Sequence, residues 1–218
     1  MTKDPSLPFV LRWAGAYAAT ECAVVIVASL ALATSWPWVA LVAIIEGALL
    51  GFVQGALLRD LGPHFIRDWT LATIAGVLLG RGIEFAGDSS PLAGAILAGP
   101  YALQVVAGAA LGALVGAATG SFQALLLNHH VRRPALWIAA CALAWCIALP
   151  ALLLAGFATG QLSGSVPLWH AVVVILLLFA AIGAVTGAIE GGALVAMLRG
   201  AARSDAHAGL GPALEHSA

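Results

Sequence analysis

Charged side chains are scarce in this sequence. Of its 218 residues, 9 are Lys or Arg and 10 are Asp or Glu, which is 9% of the chain. A soluble domain carries roughly a quarter. Hydrophobic residues make up 62% of the chain, and the mean hydropathy is +1.03. We therefore predict that lipid surrounds the protein. The net charge of −1 argues against a nucleic-acid partner, which requires a concentrated basic face.

Residues that hold cofactors are equally few. Cys22, Cys141 and Cys146 lie in apolar runs without CxxC spacing, so neither a disulfide framework nor a zinc site is predicted. Lys3 is the sole lysine and His170 the sole histidine within an apolar run, which excludes a retinal Schiff base and bis-histidine haem ligation. The sequence contains no GxxxxGK[ST], HExxH or GxSxG motif. We expect no cofactor, and the composition favours a protein without catalytic activity.

The first 35 residues resemble a signal peptide in one respect. Lys3 precedes an apolar stretch that ends in a cleavage-like Ala31-Leu32-Ala33. However, Glu21 interrupts the apolar stretch, and Trp13 belongs to a pattern that recurs along the chain. We therefore predict a retained first helix.

Six apolar segments are long enough to cross a membrane, which takes about 20 helical residues. They cover about 10–34, 38–58, 69–86, 101–127, 136–158 and 168–198. The third is the weakest, because Arg81 and Glu84 lie in its second half. The predicted fold is an all-α, polytopic integral membrane protein. One six-helix domain spans 1–203, and we expect 204–218 to be a short disordered cytoplasmic tail.

Basic residues predict the orientation of the spans. With six crossings, eight of the nine fall on the side that carries both termini: Lys3, Arg12, Arg59, Arg67, Arg132, Arg133, Arg199 and Arg203. Only Arg81 leans toward the other side. Since basic loops stay in the cytoplasm, we predict a cell-membrane protein with both termini cytoplasmic.

The spans show a threefold internal pattern, with units at about 10–58, 69–127 and 136–198. Each odd-numbered span begins with a tryptophan (Trp13, Trp69, Trp137). Each even-numbered span begins with a proline and an aromatic residue: Pro37-Trp38, Pro100-Tyr101 and Pro167-Leu168-Trp169. Proline fits the first turn of a helix, and aromatic rings favour membrane interfaces. The pattern predicts three repeated helix pairs in a pseudo-threefold bundle.

Series of three or four glycines at four-residue spacing occur in the even-numbered spans alone. The series are Gly47, Gly51, Gly55; Gly108, Gly112, Gly116, Gly120; and Gly183, Gly187, Gly191. Residues at this spacing share one helix face, and a face of glycine allows close helix packing in lipid. We therefore expect the even-numbered helices to pack centrally along these faces. The odd-numbered helices would then lie outside, with their tryptophans at the cytoplasmic rim.

One hairpin motif resembles a known type of protein. Gly51-Phe52-Val53-Gln54, Leu57-Leu58-Arg59 and Trp69 resemble a hairpin repeated in uncharacterised bacterial multi-pass membrane proteins. The copy at Gly120-Ser121-Phe122-Gln123 has Asn128 in place of arginine, and the third keeps Gly187 and Glu190 but has Arg199 four residues late. The resemblance implies no activity.

Polar side chains inside the spans are candidate site residues, because they are costly to place in lipid. They are Glu21, Glu46, Gln54, Arg81, Glu84, Gln123 and Glu190. Arg81 and Glu84, at i and i+3, can pair on one face. Gln54, Gln123 and Glu190 each follow a series glycine by three residues, so they can approach one another. A competing alignment matches Ile189-Glu190-Gly191 with Ile45-Glu46-Gly47, and both remain open.

These polar residues have a functional and a structural interpretation. In the first, Glu46 and Glu190 carry protons or cations. Burial disfavours the charged form of a carboxyl, so that it can take up and release a proton near neutral pH. In the second, the same groups only bridge helices. His129-His130 with Arg132-Arg133 favours a solvated loop over binding of lipid headgroups, and either over a metal site, which needs three or four ligands.

Two functions of different class follow. The first is a small proton- or cation-linked transporter or channel-like protein, a class often built from helix repeats with acids at mid-membrane. The second is a non-catalytic subunit or assembly factor of a larger membrane complex, or a homo-oligomer, whose small-residue faces bind other helices. The intramembrane acids favour transport slightly.

Overall fold

A computed structural model describes residues 6–31, 35–162 and 168–208, and these are almost entirely helical. The helices are α1 (Ser6–Ala31), α2 (Trp36–Leu57), α3 (Phe65–Asp88), α4 (Pro91–Leu97), α5 (Tyr101–Leu127), α6 (Ala135–Leu162) and α7 (Leu168–Ala208), with a 3-10 turn at Arg59–Leu61. The all-α prediction is confirmed for the described residues. Helix α7 runs beyond the predicted domain boundary at 203, and the rest of the tail lies outside those residues.

Six of the helices are long and apolar enough to span a membrane, as predicted. The spans are Ser6–Ile26, Trp36–Leu57, Phe65–Asp88, Tyr101–Leu127, Ala135–Leu154 and Trp169–Gly200. The lowest mean hydropathy, 1.2, belongs to Phe65–Asp88 in α3, which contains Arg81 and Glu84.

Proline and serine set the beginnings of several helices. Ser35 precedes α2 in an extended conformation, with Pro37 in the first turn, and Pro100 precedes α5. Helix α4 was not predicted from the sequence. It begins at Pro91, and the side chain of Ser90 accepts a hydrogen bond from the Ala93 amide at 3.2 Å. The same amide also donates to the Ser90 carbonyl at 3.1 Å, so Ser90 holds the first turn of the short helix with both its side chain and its backbone.

The six long helices form a closed ring in which neighbours run antiparallel. The ring order is α1–α2–α3–α5–α6–α7, and α7 returns to α1. The most extensive contacts join α5 with α6, α2 with α3 and α1 with α7. All three of these pairs join different predicted repeat units, and none lies within one unit. The threefold repeat itself stays a prediction.

This alternation gives the bundle two chemically different ends. The end at which α1 begins also carries residues 58–64 and 128–134, and we call it the basic end. Its described arginines are Arg12, Arg59, Arg67, Arg132, Arg133 and Arg199. The opposite end, the far end, carries α4 and residues 89–100. The basic end is therefore the one that the charge rule assigns to the cytoplasm.

The prediction that the helices of the even-numbered spans, which are α2, α5 and α7, pack on one another is wrong. A Cβ added to Gly47 would lie 2.6 Å from the Ile74 Cα, and one added to Gly187 would lie 2.8 Å from the Ala14 Cα. The glycines of α5 likewise face α6, where Gly116 approaches the carbonyl of Cys141. Each glycine series thus contacts a neighbouring antiparallel helix of the odd-numbered spans: α2 contacts α3, α5 contacts α6, and α7 contacts α1. Helices α2, α5 and α7 cannot meet at the centre of the bundle, because large side chains occupy it.

Those side chains are the tryptophans that the sequence analysis placed at the cytoplasmic rim. Trp13, Trp69 and Trp137 are all 0% exposed and belong to the core of the bundle. That placement was also wrong. The tryptophans point inward because the glycine faces bring the α1, α3 and α6 backbones close to their neighbours, which leaves the ring interior for the indoles.

Candidate functional site

Two buried polar groups lie at different depths in the bundle. The first, which we call the tryptophan layer, lies one to two turns inside the basic end. It consists of the three inward tryptophans and three polar residues of the even-numbered spans: Trp13, Trp69, Trp137, Gln54, Gln123 and Glu190. The indole rings contact one another with centroid separations of 5.8 to 6.3 Å. Such aromatic packing closes the centre of the ring.

Two of the tryptophans donate hydrogen bonds to glutamine. Trp69 Nε1 donates to Gln54 Oε1, and Trp137 Nε1 donates to Gln123 Oε1, both at 3.0 Å. Gln123 Nε2 donates to Thr73 Oγ1 at 2.9 Å and lies 3.4 Å from Gln54 Oε1. The predicted approach of Gln54 and Gln123 is confirmed. A buried amide without partners is costly, so these bonds hold α2, α3, α5 and α6 in register.

The third tryptophan faces a carboxyl group in place of an amide. Glu190 is 1% exposed and receives hydrogen bonds from the Tyr17 hydroxyl and the Cys141 thiol. Trp13 lies beside it, yet Trp13 Nε1 and Glu190 Oε2 are both buried without a hydrogen-bond partner. Glu190 thus lies beside Trp13 as Gln54 lies beside Trp69. These contacts match the alignment of Glu190 with the glutamines and not its alignment with Glu46.

The second polar group surrounds Arg81 in α3. Arg81 Nη1 contacts Glu84 Oε2 at 2.8 Å, which confirms the predicted i, i+3 pair. Arg81 Nη2 and Nε donate to Glu46 Oε2 of α2 at 2.8 and 3.2 Å. The guanidinium therefore binds two carboxylates, and Glu46 is tied to it with its side chain only 2% exposed. This engagement with Glu46 was not predicted, because 35 residues separate the partners.

Within this second polar group, Glu21 of α1 has no ion-pair or side-chain hydrogen-bond partner among the described residues. It is 9% exposed, and it lies within electrostatic range of Glu46 and Arg81. No hydrogen bond from another described side chain reaches its carboxylate, and Arg81 is already engaged twice. An unpaired carboxylate at this depth is expensive. Glu21 is therefore the group of this cluster that is available to a proton or a ligand.

Glu21, Arg81 and Glu84 line a cavity of about 500 Å³. Its walls also include three aromatic side chains, Phe85, Trp145 and Phe179, together with Asp88 and Ser89. Asp88 and Ser89 are exposed at the end of α3, so the cavity extends from mid-bundle toward the far end. The tryptophan layer lies on its other side, between the cavity and the basic end.

The described residues contain no group of three or more His, Cys, Asp or Glu side chains placed to hold a metal ion. His130, from the histidine pair of the loop, packs its ring edge-on against Phe65 at 5.5 Å. The His130 ring therefore packs against another side chain of the protein.

Sequence reasoning missed Tyr17, Thr73 and Cys141, which contact the predicted polar residues. The signal for Tyr17 was present: Trp13, Tyr17 and Glu21 are four residues apart and share one face of α1. Thr73 and Cys141 likewise follow Trp69 and Trp137 by one turn. A residue one helical turn after each tryptophan therefore lies on the same helix face and could have been predicted to contact the polar residues.

No known protein family matches this chain, and neither a curated protein nor a solved structure is similar to it. Its function is therefore argued from the site alone.

Proposed function

We propose that this chain is a small transporter linked to a proton or another cation, with Glu21 as the exchanging group. The supporting observation is a nine-tenths buried, unpaired carboxyl in a cavity whose only described cation, Arg81, already binds two carboxylates. Burial disfavours the charged form of such a carboxyl, so it either holds a proton or attracts a cation. Exchange between these two states is the elementary step of coupled transport.

Glu190 is the second carboxyl of the proposed path. A Cβ added to Gly183 would meet Glu21 Cγ at 2.9 Å, and Glu190 lies seven residues, or about 10 Å, farther along α7. Tyr17 lies between them, at the level of Gly187, and hydrogen-bonds to Glu190. A phenol both donates and accepts a hydrogen bond, so it can pass a proton between two carboxyls.

The tryptophan layer argues against an open, water-filled pore as the route of transport. Its rings are fully buried and in mutual contact, so ions have no aqueous route past them. Transport would require a proton relay or a rearrangement that exposes the cavity to alternate sides. If the basic end lies on the cytoplasmic side of a cell membrane, the cavity faces the other side of that membrane.

Proton flux into liposomes tests the proposal. The purified chain is reconstituted with an internal pH-sensitive dye, and an imposed pH gradient is expected to acidify the lumen faster than in empty liposomes. Glu21→Gln should abolish the additional flux while the protein still incorporates normally. Asp60→Asn is the matched control, because it makes the same chemical change at an exposed loop carboxyl. Full flux in Glu21→Gln would contradict the role of Glu21.

A groove on the outside of the bundle favours a second function, that of a non-catalytic subunit. Small and apolar side chains of α6 and α7 line this cavity of about 340 Å³: Leu136, Ala139, Ala140, Leu143, Ala193, Ala196 and Met197. A stripe of alanines admits a neighbouring helix at close range, from a larger complex or a second copy. Absence of flux, together with cross-linking from a cysteine at Ala193 to one defined membrane protein, would favour this function over transport.

A further inference from the structure

A second cavity adjoins the first under α4. It measures about 350 Å³ and is lined chiefly by apolar side chains of α4, α5 and α6, among them Leu92, Ile96, Leu111 and Leu153. Pockets that hold small organic molecules have about this volume and an apolar lining with few polar groups. Metal ions and protons need no such apolar space, so this cavity points to an organic ligand.

The two cavities share a wall. Glu84 and Asp88 of α3 line both of them. A molecule with two chemically different parts can therefore place one part against the carboxyls and aromatic rings of the first cavity. Its other part would lie in the apolar space under α4.

The charge of the shared site selects a cation. Glu21, Glu84 and Asp88 line the first cavity, and Arg81 is the only basic residue among its described lining residues. Since Arg81 binds Glu46 and Glu84, no basic group remains to attract an anion, whereas Glu21 and Asp88 have no cationic partner among the described residues.

The aromatic lining distinguishes an organic cation from a metal ion. Phe85, Trp145 and Phe179 face the same cavity as the carboxyls, and Phe85 packs against Trp36 with a centroid separation of 5.6 Å. Aromatic faces attract substituted ammonium groups, which are large and weakly hydrated. A small hydrated metal ion would require converging oxygen ligands instead.

We infer that the joined cavities bind a lipophilic monovalent organic cation. Its charged group lies between Glu21 and Asp88 and against the aromatic rings, and its apolar group lies under α4. The inference rests on the proposed function in one respect, which is that the ligand occupies the cavity proposed as the transport site. Binding of the ligand can be measured independently of transport.

Binding of tetraphenylphosphonium to the purified full chain in detergent tests the inference by calorimetry. We expect saturable binding, with at least about tenfold weaker binding of the neutral analogue triphenylphosphine oxide. Glu21→Gln should weaken binding of the cation by about tenfold or more, as when one partner of a desolvated charge pair is removed, and Asp88→Asn should weaken it less, because Asp88 is exposed. Asp60→Asn is the control and should not change it.

Ile96→Trp provides a second variant that leaves every charge in place. It fills the space under α4 and should weaken binding of tetraphenylphosphonium while Glu21-dependent proton flux persists. Equal affinity for the neutral analogue, or unchanged affinity in both carboxyl variants, would overturn the inference. Flux without cation binding would also overturn it but leave the proposed function intact. Cation binding without flux would support it and count against transport.

Discussion

Replacing Gly47 with alanine tests how closely α2 and α3 must pack for the Arg81 cluster to form. The added Cβ would lie 2.6 Å from the Ile74 Cα and 3.0 Å from the Ile74 amide nitrogen. Carbon atoms in contact need about 3.5 Å or more, so the two backbones would have to separate by about 1 Å at this level. Glu46, the preceding residue, would then move away from Arg81, whose guanidinium it binds at 2.8 Å.

Overpacking of this kind costs about 1–3 kcal/mol in a well-packed core. Gly192→Ala is the matched control, because a Cβ at Gly192 meets no atom within 4 Å. Both substitutions restrict the unfolded chain equally, so the preference of a helix for alanine over glycine, about 1 kcal/mol, cancels in the comparison. We therefore expect Gly47→Ala to be less stable than Gly192→Ala by about 1–3 kcal/mol, the cost of the overpacking alone.

Unfolding of the two variants in mixed detergent micelles, followed by tryptophan fluorescence, measures this difference. The fluorescence is sensitive to the packing, because Trp13, Trp69 and Trp137 are buried in the core. The larger substitution Gly116→Leu should prevent folding altogether, since its side chain would meet the Cys141 carbonyl. Equal stability of Gly47→Ala and Gly192→Ala would refute the close approach of α2 and α3.

Two further substitutions test the buried carboxyls. Glu190→Gln should preserve or raise thermal stability, because it places beside Trp13 the amide that the other two tryptophans already bind, while proton flux into liposomes falls; a large loss of stability would contradict this reasoning. Arg81→Gln should cost about 3–5 kcal/mol by leaving two carboxylates without their cation, which denaturation in mixed micelles measures. Arg67→Gln, at an exposed ion pair, should cost about 1 kcal/mol or less, and an equal cost of the two substitutions would contradict the buried pairing of Arg81.

The helices themselves were largely predictable, and the exceptions have local causes. The predicted span 69–86 corresponds to Phe65–Asp88, so the periodic apolar core was found and the ends were not. The ends lie in polar residues, where hydropathy carries no signal. Helix α4 was missed because seven residues between Pro91 and Leu97 are too few to register as a span.

The candidate site was predictable only where its residues are close in sequence. Arg81 and Glu84 could be paired because they are one turn apart on one helix. Glu46 could not be assigned to Arg81, since this contact depends on how α2 and α3 align in space. As a result, Glu46 was favoured as a carrier from the sequence, whereas in the structure it binds Arg81, and Glu21 has no such partner among the described residues.

Composition alone determined that this protein belongs in lipid: nineteen charged side chains cannot solvate 218 residues, and this count does not depend on folding. Spacing alone determined which helix faces are small enough for close packing. Only the tertiary structure decided that those faces meet the odd-numbered helices, that the tryptophans turn inward and that Glu21 faces a cavity. Each of these depends on how a helix is rotated about its axis and on which neighbour it packs against, and both follow from contacts between residues far apart in the chain.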